Sequence, residues 1–172
     1  MRWRLLERVR ELVPGETACA DAATAFPDAL FDDHFPSFPV TPGVLLAEMG
    51  AQLSGLLVQA TVLAQRGFWI FPVLGTIERA KFRAFVGPRA RVEVTSRIES
   101  LRDEAALCKA RIASGGRTSA DMTLMLVFDP EGLAGAADRR VLELRARDEY
   151  RRLASPWQPP ASDDGAEGDG ER

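Results

Sequence analysis

The chain carries a single histidine, His34, and fourteen residues later a lone carboxylate, Glu48, inside a long apolar run. An imidazole titrates close to neutrality and can take a proton, while a carboxyl group can deliver one. Between them, in HFPSFPVTPG, prolines stand at positions 36, 39 and 42. Proline restrains its own φ and pushes the preceding residue towards extended dihedrals, so the segment can hold His34 at a set distance from the residues after Pro42. Those residues read as a helix start, whose first amides at Gly43 and beyond are free and sit at the positive end of the helix dipole. Gln52 lies four residues after Glu48, on the same helix face. The pattern offers a base, an acid and a set of amide donors near one end of a helix. Taken singly, His34 also fits a turn histidine, HFPSFPVTP an extended PxxP segment, and Glu48 a partly exposed helix carboxylate.

The helix that must position Glu48 is expected from Val44 to about Gln65, with Thr41 as cap, Pro42 at its first position and Gly67 as its stop. It is apolar on nearly every side, so other elements must surround it. Val44–Ala64 is long enough to span a membrane, but Glu48, Gln52 and Gln59 argue for a buried core helix instead. Residues 4–13 are open between a helix and the first strand of a hairpin, turning at Val13-Pro14-Gly15-Glu16 into a second strand over 16–24. Further strands are expected at Phe68–Ile77, around Val92–Ile98, at Leu107–Ala113 and at Thr118–Phe128, with Ser114-Gly115-Gly116-Arg117 as a hairpin loop. One buried helix with several antiparallel strands is an α+β arrangement. Residues 137–153 come next as an amphipathic helix with Leu142, Ala146, Tyr150 and Leu153 on one stripe, and Glu143–Arg147 and Asp148–Arg152 as favourable pairs. The chain therefore divides into a body over 1–130, a helical extension over 131–155, and an acidic, glycine-rich tail over 156–172 that is expected to be disordered.

Composition narrows the function. Of 172 residues, 46% are hydrophobic and 27% charged, which suits a soluble globular protein with a core of its own. A net charge of −3 argues against general nucleic-acid binding. Cys19 and Cys108 have no metal-ligand spacing, and no metal or cofactor is expected. The charged N-terminus MRWRLLERVR lacks the uninterrupted apolar stretch of a signal peptide, and a cytoplasmic location is expected.

The stretch HFPSFPVTPGVLLAEMGAQ resembles the signature of the 3-hydroxyacyl-acyl-carrier-protein dehydratases of the FabZ and FabA kind. It matches H-F-P-x-x-P-x-x-P-G-x-x-x-x-E-x-x-x-Q at every fixed position. GTIERAKFRAFVGP is similar to a second family segment through Gly75, Ala80, Phe82 and Val86. The resemblance covers roughly residues 5–128. It implies a hotdog fold, a curved antiparallel sheet wrapped around one long central helix, and so favours a strand over 4–13. It implies a homodimer in which His34 of one chain faces Glu48 of the other. It implies loss of water from a 3-hydroxyacyl thioester on acyl carrier protein, as in fatty acid biosynthesis. His34 would be the base, Glu48 the acid, the Gly43 amide the donor to the thioester oxygen, and Gln52 the residue holding Glu48. Trp69 and Phe71 would line the acyl tunnel, and Arg79, Lys81 and Arg83 would meet the acidic carrier. Glu at position 48, where the isomerising relatives usually carry Asp, favours plain dehydration. Asp33 stands where the family usually has Gly, Gly87-Pro88-Arg89 replaces Pro-Gly-Asp, and the chain after residue 130 has no counterpart. A hotdog thioesterase and a non-catalytic acyl-binding subunit are the rival readings.

Overall fold

The turn Val13–Glu16 decides the segment that periodicity left open. Glu16 N donates to Val13 O at 3.0 Å and joins two antiparallel strands, β1 (Leu6–Val13) and β2 (Thr17–Ala23). In the computed structural model, which describes residues 4–128 and 136–153, two helices come next: a six-residue α1 (Asp28–Asp33) and α2 (Gly43–Arg66). Then come β3 (Val73–Phe82), β4 (Arg91–Leu101), β5 (Ala105–Ser114), β6 (Arg117–Val127) and α3 (Ala136–Leu153). The strands form one antiparallel sheet in the order β1-β2-β4-β5-β6-β3. The β5–β6 hairpin turns on Gly115 and Gly116, at φ 55° and 77°, the left-handed pair that a two-residue connection demands.

The sheet wraps α2, which packs against all six strands. Gly50 allows the close approach: a Cβ there would meet the Ala110 Cβ and the Met122 sulfur at 3.0 Å. The polar residues inside the helix are each satisfied. Ser54 shares a 2.7 Å hydrogen bond with Ser96, Gln59 Nε2 donates to Ile70 O, and Thr61 accepts from Gly15 N. By length and composition α2 could cross a membrane, but 72% of its apolar window is buried inside the protein, as expected of a core helix. It stops at Gly67, whose amide returns to Leu63 O at φ 76°.

Three expectations need correction. Thr41 is not the cap of α2; Pro42 holds that position with no side-chain cap bond, and Thr41 is tied by its own amide to Val86 O. The strand expected at Phe68–Ile77 begins at Val73 and runs on to Phe82. Pro72 has no amide hydrogen for a ladder, and Ile70 O is taken by Gln59. Asp148 forms no ion pair with Arg152 and lines a cavity instead. The short helix α1 was not expected from the residues that form it.

The α3 helix lies against β1. Tyr150 and Leu153 are buried as its apolar stripe predicts, and the Tyr150 ring meets Trp69 edge-on at 5.6 Å. The Arg147 guanidinium sits 5.9 Å from the Trp69 centroid. The side chains of Asp33, Leu142, Glu143 and Ala146, and the tail over 156–172, lie outside the described residues.

Candidate active site

His34 comes directly after α1 and is half-buried. Its Nδ1 lies 2.9 Å from Val40 O. A carbonyl oxygen only accepts, so Nδ1 carries the hydrogen and the neutral ring keeps its lone pair on Nε2. The next residue, Phe35, has φ 61°, a conformation that costs a non-glycine residue about 1–3 kcal/mol. It is held there by a tight turn, Phe38 N donating to Phe35 O at 2.7 Å, and its ring lies 4.6 Å from the imidazole. The rigid proline segment thus works through a turn and a carbonyl: it folds back so that Val40 orients the histidine.

Glu48 lies in the second turn of α2, half-buried. Gln52 Nε2 donates to Glu48 Oε1 at 2.9 Å, and Gln52 Oε1 accepts from Leu5 N at 3.0 Å. The backbone amide fixes which way the Gln52 amide faces, and the amide in turn fixes one oxygen of Glu48. The other oxygen makes no hydrogen bond among the described residues. Glu48, Gln52 and Phe71 share the wall of a solvent-open cavity of about 730 Å³, lined also by Pro72, Leu126 and residues of α3.

The remaining predicted residues fall elsewhere. His34 and Gly43 are not in the wall of this cavity. Gly43 starts α2 beneath the Phe82 ring, where a Cβ would meet ring carbons at 3.0–3.1 Å. Trp69, expected in the acyl tunnel, is absent from the wall of this cavity and packs under α3. Arg79 and Lys81 are exposed on β3, and Arg83 just past its end pairs with Asp121. That bond holds the Asp121 carboxyl below its ordinary range, with Arg79 and Lys81 adding to the effect. Among the described residues no group of three or more His, Cys, Asp or Glu could hold a metal ion.

Sequence reasoning missed Val40 O and Leu5 N. Both are backbone atoms, which leave no side-chain signature; only the fold shows that they orient His34 and Gln52. It also missed that Arg145 and Asp148 of α3 reach this cavity.

The family model described as FabA-like domain matches residues 1–122. The chain belongs to the FabA-like family. Among its curated relatives, the 3-hydroxyacyl-[acyl-carrier-protein] dehydratase FabZ of Ligilactobacillus salivarius is 37% identical over 126 residues, covering 71% of this chain and 86% of that protein. FabZ of Lactobacillus helveticus is 34% identical over 128 residues, covering 73% and 84%. These relatives are dehydratases, and the FabA-like chain is an enzyme of their family. Solved structures agree on the fold. A hypothetical thioesterase protein with coenzyme A from Streptococcus pneumoniae matches with TM-score 0.55 at 10% identity, covering 71% of this chain and 87% of that one. The phenylacetic acid degradation protein PaaI from Thermus thermophilus matches with TM-score 0.53 at 21% identity, covering 70% and 90%. The FabA-like chain therefore has the hotdog fold, with α3 beyond the matched segment.

Proposed function

We propose that this chain removes water from a 3-hydroxyacyl thioester carried on acyl carrier protein, giving the trans-2-enoyl thioester, at a site completed by a second copy of itself. The observation that carries the reading is Glu48, held in a cavity wall by Gln52, which accepts from Leu5 N in turn, with one carboxylate oxygen left over. His34 Nε2 takes the α-proton, which the thioester carbonyl makes acidic. Charge grows on the carbonyl oxygen as that proton leaves, and the uncapped amide of Gly43 donates to it, a contribution of about 3 kcal/mol in comparable sites. The Cβ–O bond then breaks, and Glu48 protonates the departing hydroxyl to form water. Exchange with solvent removes the proton from His34 and restores the one lost by Glu48.

The second copy is supported by β3. It is an edge strand, exposed along most of its ten residues, with Leu74, Ile77 and Phe82 open to solvent and Phe85 77% exposed just beyond. A long apolar edge of this kind invites pairing with another strand. Pairing two such edges would bring His34 of one chain towards Glu48 of its partner, which accounts for an acid whose cavity lacks the base. Arg79 and Lys81 on the same strand suit the acidic surface of a carrier protein.

The test is hydration of crotonyl and longer 2-enoyl thioesters, on carrier protein and on a short thiol, monitored by loss of enoyl absorbance with released thiol measured in the same samples. Hydration without thiol release, lost in His34→Ala and in Glu48→Ala, is the expected result. Thiol release from the native chain would replace the dehydratase reading with a thioesterase.

A further inference from the structure

The helix that lies outside the family match supplies part of the site's wall. The FabA-like segment ends at residue 122, and α3 begins at Ala136. Its inner face is anchored by buried Tyr150 and Leu153 and by Arg147 over Trp69. Its adjoining face brings Arg145 and Asp148 to the cavity that holds Glu48. That cavity tracks α2 from Glu48 to Gln59, about 16 Å at 1.5 Å per residue, the reach of a medium-length acyl chain.

Arg145 and Asp148 stand three residues apart, so their side chains are surface neighbours, with Cβ atoms about 5–6 Å apart. Both are solvent-exposed where they line the cavity, so each charge is hydrated when the site is empty. A guanidinium only donates, and an ionised carboxylate only accepts. A hydrocarbon chain laid across them would strip water from two charges and return nothing. A chain ending in a carboxylate would meet Arg145 and Arg4 favourably but would be repelled by Asp148 beside Arg145. A hydroxyl satisfies both, accepting from Arg145 and donating to Asp148.

We propose that α3 adapts this site to hydroxylated acyl chains, with Arg145 and Asp148 binding a hydroxyl group other than the one that leaves as water. The inference rests on the dehydratase reading of the Glu48 cavity. It makes Arg145 and Asp148 specificity-determining residues, contributed by a segment that the family match does not include.

The experiment uses the full chain and matched pantetheine thioesters, 2-octenoyl against 8-hydroxy-2-octenoyl and a carboxylate-ended chain of the same length. The native protein is expected to favour the hydroxylated chain by about tenfold in kcat/KM, as one charge-assisted hydrogen bond would give. Arg145→Leu and Asp148→Leu should each abolish that preference through KM, and Arg145→Lys should keep part of it. Arg151→Leu, which removes an exposed charge from the same helix away from the cavity, should keep all of it. Equal use of alkyl and hydroxylated chains by an active native enzyme would overturn the inference while leaving the dehydratase intact. So would a preference that survives Arg145→Leu and Asp148→Leu. A preference for the carboxylate-ended chain, lost in Arg145→Leu alone, would also overturn it. Failure to hydrate any thioester would overturn both readings together.

Discussion

The two proposed catalytic side chains stand on segments of opposite character. Glu48 sits in a regular helix gripped by the sheet, with its position passed down a hydrogen-bonded line from Leu5 N through Gln52. His34 sits where a short helix ends, beside a residue at positive φ, on a loop whose Phe35 and Phe38 are 59% and 61% exposed. One half of the site is finished within the chain. The other is rigid in its backbone, through the Phe35–Phe38 turn and the bond to Val40, but leaves its aromatic rings largely open to solvent. Burial and rigidity are therefore separate properties in this protein. The histidine is oriented by local turn chemistry, whereas the glutamate is oriented by contacts between distant parts of the chain.

The largest expected effect tests whether the two halves meet across chains. His34→Ala and Glu48→Ala should each lower kcat/KM by about 10²–10⁴, the usual contribution of a general base or acid. Co-refolding the two inactive variants in equal amounts should restore about a quarter of native activity, because half of the dimers are mixed and each holds one intact site. A mixture that stays as inactive as its parts would rule out a site shared between chains.

A smaller effect is expected from the line that holds Glu48. Gln52→Ala leaves Leu5 N without its acceptor and Glu48 without its donor. Urea unfolding should show a loss of about 1–3 kcal/mol, with kcat reduced more than KM is raised. Unchanged stability and rate would mean that the helix alone positions the carboxylate.

The smallest effect concerns the strained side. Phe35→Asn relaxes the left-handed backbone, and the lost ring was already exposed, so stability should rise by about 1 kcal/mol. The rate should fall as His34 loses the ring beside it. A rise in stability with no change in rate would show that the strain does not serve the histidine.

Much of the molecule was legible in order along the chain. Glu48 and Gln52 at i,i+4, the stop at Gly67, the turn at Val13–Glu16 and the Gly115-Gly116 hairpin all depend on neighbours within a few residues, and each appears where its residues place it. The errors have a common cause. Phe68–Pro72 has the apolar texture of a strand, but Gln59 and Tyr150, distant in sequence, hold Ile70 and Trp69 in an irregular path. Thr41 reads as a cap, but the backbone at Val86 claims its amide and Gly87 O its hydroxyl. Asp148 reads as the partner of Arg152, but the docking of α3 on the body turns it into the cavity.

Residue type and spacing set the chemistry this protein carries: one imidazole, one acid inside an apolar helix, a glycine at the start of that helix, and the alternation of strands such as β4 and β6. Side-chain periodicity and proline geometry are local, and sequence records them directly. Folding in three dimensions was needed to make Leu5 N orient Gln52, to let Val40 O set the histidine tautomer, to lay Trp69 beneath α3, and to bring the charges of α3 to the cavity. Those outcomes depend on backbone groups and on contacts between segments far apart in the chain, and they exist only once the sheet has closed around its helix.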